Sequence, residues 1–142
     1  MGDEYNLQEY RTPNGNTFWE LMSNQRGSSD FGNMMMSPRT RGSAIKLIKQ
    51  IDKIIAYGMR TSCATNKMRL LDAKTGLYEL KGYDGAHREM TYIFVKDPLE
   101  IVLLFSFRGH QGSGNIHAEI KRAKPLAAIA SKLLKDMHEK RS

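Results

Sequence analysis

Lys67, Lys81, His87, Arg88, Arg108 and His110 are the side chains in this sequence best suited to handling phosphate esters. Cleavage of RNA by its own 2′-hydroxyl needs a base, an acid for the leaving 5′-oxygen, and positive charge around the pentavalent phosphorus. Lys and Arg supply that charge without a metal. Histidine, with an ordinary pKa of about 6.5, is the usual proton carrier, so His87 and His110 are candidates and His117 a weaker third. Chemistry through Mg²⁺ would want clustered carboxylates, whereas Glu79, Asp84, Glu89, Asp97 and Glu100 are spread along the chain. No metal and no other cofactor is expected. Gly112-Ser113-Gly114 lacks the Lys of a phosphate-binding loop, and there is no Ser-His-Asp or Cys-His signature.

These residues can act together only if the fold brings them to one place. Four short extended segments, 66–72, 77–83, 87–96 and 99–108, are separated by Lys74-Thr75-Gly76, Asp84-Gly85 and Asp97-Pro98, which are turn chemistry. A two-residue turn at Asp84-Gly85 sets Tyr83 opposite Ala86 and Lys81 opposite Arg88. A turn at Asp97-Pro98 sets Lys96 opposite Leu99, and so Arg88 opposite Phe107 and His87 opposite Arg108. The same reckoning around Lys74-Thr75 brings Lys67 to Gly82. The meander therefore carries Lys67, Lys81, His87, Arg88 and Arg108 to one end of one sheet, with His110 just past it and no carboxylate among them. Like charges directly opposite on a sheet repel, and an anion relieves the repulsion. Arg88, Arg108, Lys81 and His110 are the expected catalytic group. Lys67, His87, Arg69 and Tyr92 are the expected RNA contacts.

The remaining elements supply the support. Residues 5–11 suit a short strand, followed by the turn Thr12-Pro13-Asn14-Gly15-Asn16. Asn16 or Thr17 is placed to cap a short helix carrying Phe18, Trp19, Leu21 and Met22. From Ser23 to Ser43 no helical or strand period is present, which predicts a long mobile insertion. Ile45, Leu47, Ile48, Ile51, Ile54 and Ile55 recur at helical spacing across 44–57, with Gly58 as the terminating cap. Ile101 to Phe105 is apolar without alternation, as in a strand buried on both faces, and helices are expected over one side of the sheet. Asn115 can cap a C-terminal helix, which Pro125 should bend or break.

Composition fits this reading. The 142 residues suit one domain, 1–142, with an insertion at about 23–43. A net charge of +7 points to an acidic partner such as nucleic acid. The single cysteine, Cys63, allows no internal disulfide and fits a reducing, cytoplasmic setting. The N-terminal residues lack the pattern of a signal peptide, no apolar run approaches the roughly 18 residues of a membrane helix, and no membrane association is expected.

Gly76-Leu77-Tyr78-Glu79-Leu80-Lys81, His87-Arg88-Glu89-Met90-Thr91-Tyr92, Ile101 to Phe107 and Glu119-Ile120-Lys121-Arg122-Ala123, in that order, resemble the phage-derived HigB-like branch of the RelE/ParE toxin superfamily. The likeness spans residues 45–124 and, more loosely, Tyr10 to Gly15. It implies an α+β fold with N-terminal helices and a C-terminal helix on a curved, mainly antiparallel sheet of four to five strands. It also implies the toxin of a type II toxin-antitoxin system, an endoribonuclease that cleaves mRNA on the ribosome and is restrained by a cognate antitoxin. Arg88 matches the strand Arg that holds the scissile phosphate, and Lys81 and Lys67 match basic positions beside it. After Phe107 the family usually carries Lys-Lys where this chain has Arg108-Gly109-His110, so the general acid is open between His110 and His87. Two other readings fit the same residues: a ParE-like topoisomerase inhibitor without catalysis, and an inactive basic RNA-binding relative.

Overall fold

A computed structural model describes residues 4–25, 30–58, 68–84, 87–96, 100–108 and 116–141. Its elements, in chain order, are β1 (Tyr5–Arg11), β2 (Thr17–Ser23), α1 (Asp30–Met36), α2 (Arg41–Tyr57), β3 (Met68–Asp72), β4 (Leu77–Asp84), β5 (His87–Lys96), β6 (Glu100–Arg108) and α3 (Ile116–Arg141). The strands form one six-stranded sheet in the order β1-β2-β6-β5-β4-β3, in which β2 and β6 run parallel and all other neighbours antiparallel. The class is α+β, as expected, and the sheet has more strands than the four to five expected.

The extra strand comes from Thr17–Ser23, which is extended rather than helical. Phe18 packs with α1 and α2, while Trp19 and Leu21 pack on the α3 side. A strand covered on both faces is apolar at successive positions, and over five residues that pattern is indistinguishable from a helix. The β1–β2 hairpin closes through Thr12, whose N–H donates to the Asn16 carbonyl at 2.8 Å. The segment expected to lack regular structure, 23–43, contains α1 and the first turn of α2.

Helices cover both faces of the sheet, not one. On the first face Ala44, Leu47, Ile51 and Ile54 of α2 meet Phe18, Met68, Leu80, Ile93, Ile101 and Leu103. On the second, Ala123, Ala127, Ala130 and Leu134 of α3 meet Trp19, Leu77, Phe94, Val102, Leu104 and Phe105. β6 thus sends Ile101 and Leu103 one way and Val102 and Leu104 the other, which is why its sequence shows no alternation. Each such buried aliphatic side chain contributes about 1.5–3 kcal/mol.

Two glycines end elements as their sequence context requires. Gly58 follows α2 with φ +87°, and its N–H donates to the Ile54 carbonyl at 2.8 Å. Gly76, with φ +70°, turns β3 into β4, a backbone region that costs a Cβ-bearing residue. Of the bend or break expected at Pro125 there is no break: α3 runs through it as a continuous 26-residue helix. Packing of its Ala and Leu face on the sheet outweighs the one lost hydrogen bond. No helix of the described residues is long and apolar enough to cross a membrane.

Candidate nucleic-acid interface

The β4–β5–β6 meander places most of the expected basic residues, by backbone register, at the end of the sheet formed by the close of β4, the start of β5 and the close of β6. Lys81 lies on β4, His87 and Arg88 on β5, and Arg108 on β6. Arg69 lies one residue into β3, opposite Glu79, and Tyr92 pairs with Glu79 from the other side. Lys67 and His110 lie outside the described residues.

The register differs from the expected one in a way that changes the electrostatics. Asp84 pairs with His87, so Gly85 and Ala86, rather than Asp84 and Gly85, separate the strands. The pairing therefore slides by two places: Lys81 stands opposite Met90 and Arg88 opposite Tyr83, not opposite each other. A shift by two preserves the alternation along each strand, so Lys81 and Arg88 become diagonal rather than direct neighbours. It also places an acid, Asp84, across from His87.

A second shift occurs between β5 and β6. Near their connection Lys96 pairs with Glu100, Phe94 with Val102 and Ile93 with Leu103. Beyond an irregularity there, Tyr92 pairs with Phe105, leaving Leu104 as the extra residue of a bulge. Had the first register continued, Arg108 would stand opposite Arg88. The bulge moves it to Glu89 and so replaces a like-charge pair with an opposite-charge pair. The expected pairings of Arg88 with Phe107 and His87 with Arg108 are corrected accordingly: Phe107 pairs with Met90 and Arg108 with Glu89.

Besides Asp84, two carboxylates stand opposite or beside the expected site residues by register. Glu89 pairs with Arg108 on one side and Gly82 on the other. Glu79 lies in a cross-strand row with Arg69, Tyr92 and Phe105, and only 1% of its side chain is exposed. Alternation with Leu80, which packs under α2, gives Glu79 the α3 face that Leu77 and Phe105 share. The signal for it was available in the strand period, but Leu-Tyr-Glu-Leu hides an inward carboxylate among apolar neighbours.

Of the basic positions in the meander, Lys81 and Arg88 are the two whose β4–β5 partners, Met90 and Tyr83, carry no charge. The bulge has a further effect on the α3 face. Because Leu104 is the extra residue, both Leu104 and Phe105 pack toward α3, and the Arg122 guanidinium carbon lies 4.1 Å from the Phe105 ring centroid. Among the described residues no three His, Cys, Asp or Glu side chains converge as metal ligands. Comparison with family models and with curated proteins returns no match to this chain.

Proposed function

We propose that this protein binds RNA through the β4–β5–β6 end of its sheet and cleaves mRNA on the ribosome, as the toxin of a toxin-antitoxin pair of RelE/HigB type. The observation that carries the reading is the placement of Lys81 and Arg88 on adjacent strands, each opposite an uncharged residue, on a chain of net charge +7. In this reading Arg88 stabilises the phosphorane charge, Lys81 orients the backbone, and His87, opposite Asp84, handles a proton, with His110 its alternative. Arg108, Lys67, Arg69 and Tyr92 extend the contact along the strand. An α+β fold with a four-strand antiparallel meander and a C-terminal helix on the sheet is in keeping with the resemblance.

The pairing of Glu89 with Arg108 favours a second reading, an RNA-binding protein without cleavage, because it takes one expected catalytic cation into an opposite-charge pair. Induction of the chain alone in bacterial cells, followed by mapping of transcript 5′ ends, separates the readings. New 5′ ends within coding regions are expected of the nuclease. Intact transcripts with growth inhibition and DNA damage indicate the topoisomerase inhibitor, and intact transcripts with neither indicate binding alone.

A further inference from the structure

Arg122, held against Phe105, forms part of the wall of a half-open cleft of about 310 Å³ between the end of β2, β6 and α3. Leu21, Leu104 and Leu126 line it on the apolar side, while Tyr5, Glu20, Ser23, Gln25 and Arg122 bring polar groups. Its volume lies at the lower end of the roughly 300–1,000 Å³ typical of small-ligand clefts, large enough for one planar heterocycle and its sugar. β2 runs parallel to β6 with Glu20 beside Leu103, so Ser23 is carried toward the same end of the sheet that holds Arg108. Phe105 in its wall pairs with Tyr92, four residues along β5 from Arg88, and Tyr92 pairs with Glu79, two residues along β4 from Lys81, so the cleft lies inward of those strand ends.

We propose that this cleft takes an unpaired nucleobase of the RNA strand that Lys81 and Arg88 hold by its phosphates, stacked on the Arg122 guanidinium. The inference rests on the RNA-binding reading above and adds a determinant of base preference. Guanidinium planes stack on bases, and Arg122 is exposed, so a guanidinium resting with one face on Phe105 has a second face for a base. A hydroxyl and a carboxamide each donate and accept, as the edge of a base does. An apolar side chain of a protein partner would bury Ser23 and Gln25 without satisfying them.

The test is fluorescence anisotropy of labelled adenine, uracil, cytosine and guanine hexaribonucleotides with the full chain at fixed salt. Wild type is expected to rank the four. Arg122→Lys, which keeps the charge and loses the plane, should weaken the best oligonucleotide roughly five- to tenfold and flatten the ranking. Gln25→Ala should change the order. In parallel, adding each nucleoside monophosphate should shift the Arg122 Nε–H and Gln25 amide signals in NMR spectra. If Arg122→Lys kept wild-type affinities and ranking while Arg88→Ala lost binding, the cleft assignment would be overturned and RNA binding at the strand ends would stand. If wild type bound none of the oligonucleotides, both would fall. Shifts at Arg122 with an acidic peptide and none with any monophosphate would overturn the assignment in favour of a protein partner.

Discussion

The Thr12 hydroxyl donates a 2.6 Å hydrogen bond to Asp52 Oδ1, joining the β1–β2 turn to the middle of α2. Asn16 Nδ2 donates to the same oxygen at 2.7 Å and Asn14 Nδ2 to Oδ2 at 3.1 Å. One carboxylate thus organises three turn side chains. Asp52→Ala is expected to lower unfolding free energy by about 2 kcal/mol, and Asp52→Asn by less, because the amide oxygen still accepts. Urea unfolding with an unchanged m-value measures it. An unshifted midpoint would show that the turn holds without α2.

Glu20 makes a comparable junction inside the sheet. Its Oε2 accepts the Phe31 N–H at 2.9 Å, its Oε1 accepts the Tyr10 hydroxyl at 3.2 Å, and it is buried. Glu20→Ala should cost about 2–4 kcal/mol and Glu20→Gln distinctly less. Hydrogen exchange should quicken across 31–36 first, because the Phe31 contact anchors α1. Uniform exchange across the chain would argue against that anchoring.

Asp72 sets an acid limb on stability. The Thr75 hydroxyl donates to Asp72 Oδ2 and holds the carboxyl below its usual 3.8, with Lys124, the Thr75 backbone and Lys74 adding to the effect and desolvation opposing it. Since the folded-state pKa is the lower one, the stabilisation is complete above the ordinary aspartate range. It is lost as pH falls through the depressed value. Thr75→Val should flatten stability against pH below about pH 4 and leave its slope near neutrality unchanged. A slope altered only above pH 5 would contradict the assignment.

Leu47 is fully buried under the first face of the sheet, where it meets strands from both halves of the chain. Leu47→Ala should cost about 2–5 kcal/mol, read as a shifted denaturant midpoint. A loss under 1 kcal/mol would mean that α2 closes over the gap.

The two arginines at the strand ends should not be equivalent. Arg108 stands opposite Glu89 and Arg88 opposite Tyr83, so Arg88→Ala should weaken RNA binding more than Arg108→Ala. Glu89→Gln should tighten it and steepen its salt dependence, because Arg108 then has a phosphate as its charged partner. Equal losses from the two arginine substitutions, with no gain from Glu89→Gln, would contradict the register argument.

The meander was legible because Lys74-Thr75-Gly76 and Asp84-Gly85 punctuate it, and each strand end fell within two residues of its observed place. The register was not. The slide between β4 and β5 and the bulge at Leu104, where Leu104 and Phe105 both pack toward α3, leave no local mark in the sequence. Thr17–Ser23 has no legible strand period because it is buried on both faces, and α1 has no local signal because Glu20, eleven residues before Phe31, accepts the N–H that anchors it. The slide by two places leaves Lys81 and Arg88 in the same alternating set, as diagonal neighbours. Their end of the sheet is not free of carboxylates as expected, because Asp84 stands opposite His87 and Glu89 opposite Arg108, pairings that only the register reveals.

In the proposed function Arg88 stabilises a developing phosphorane on a bound message. That role is tested most directly by single-turnover cleavage of a defined mRNA on purified ribosomes by wild type and by folded Arg88→Ala. Wild type is expected to cleave, and the variant to do so at a rate at least about a hundredfold lower, the scale of losing one preorganised donor to a transition-state oxyanion. Wild-type cleavage by Arg88→Ala, or no cleavage by the wild-type chain, would contradict it.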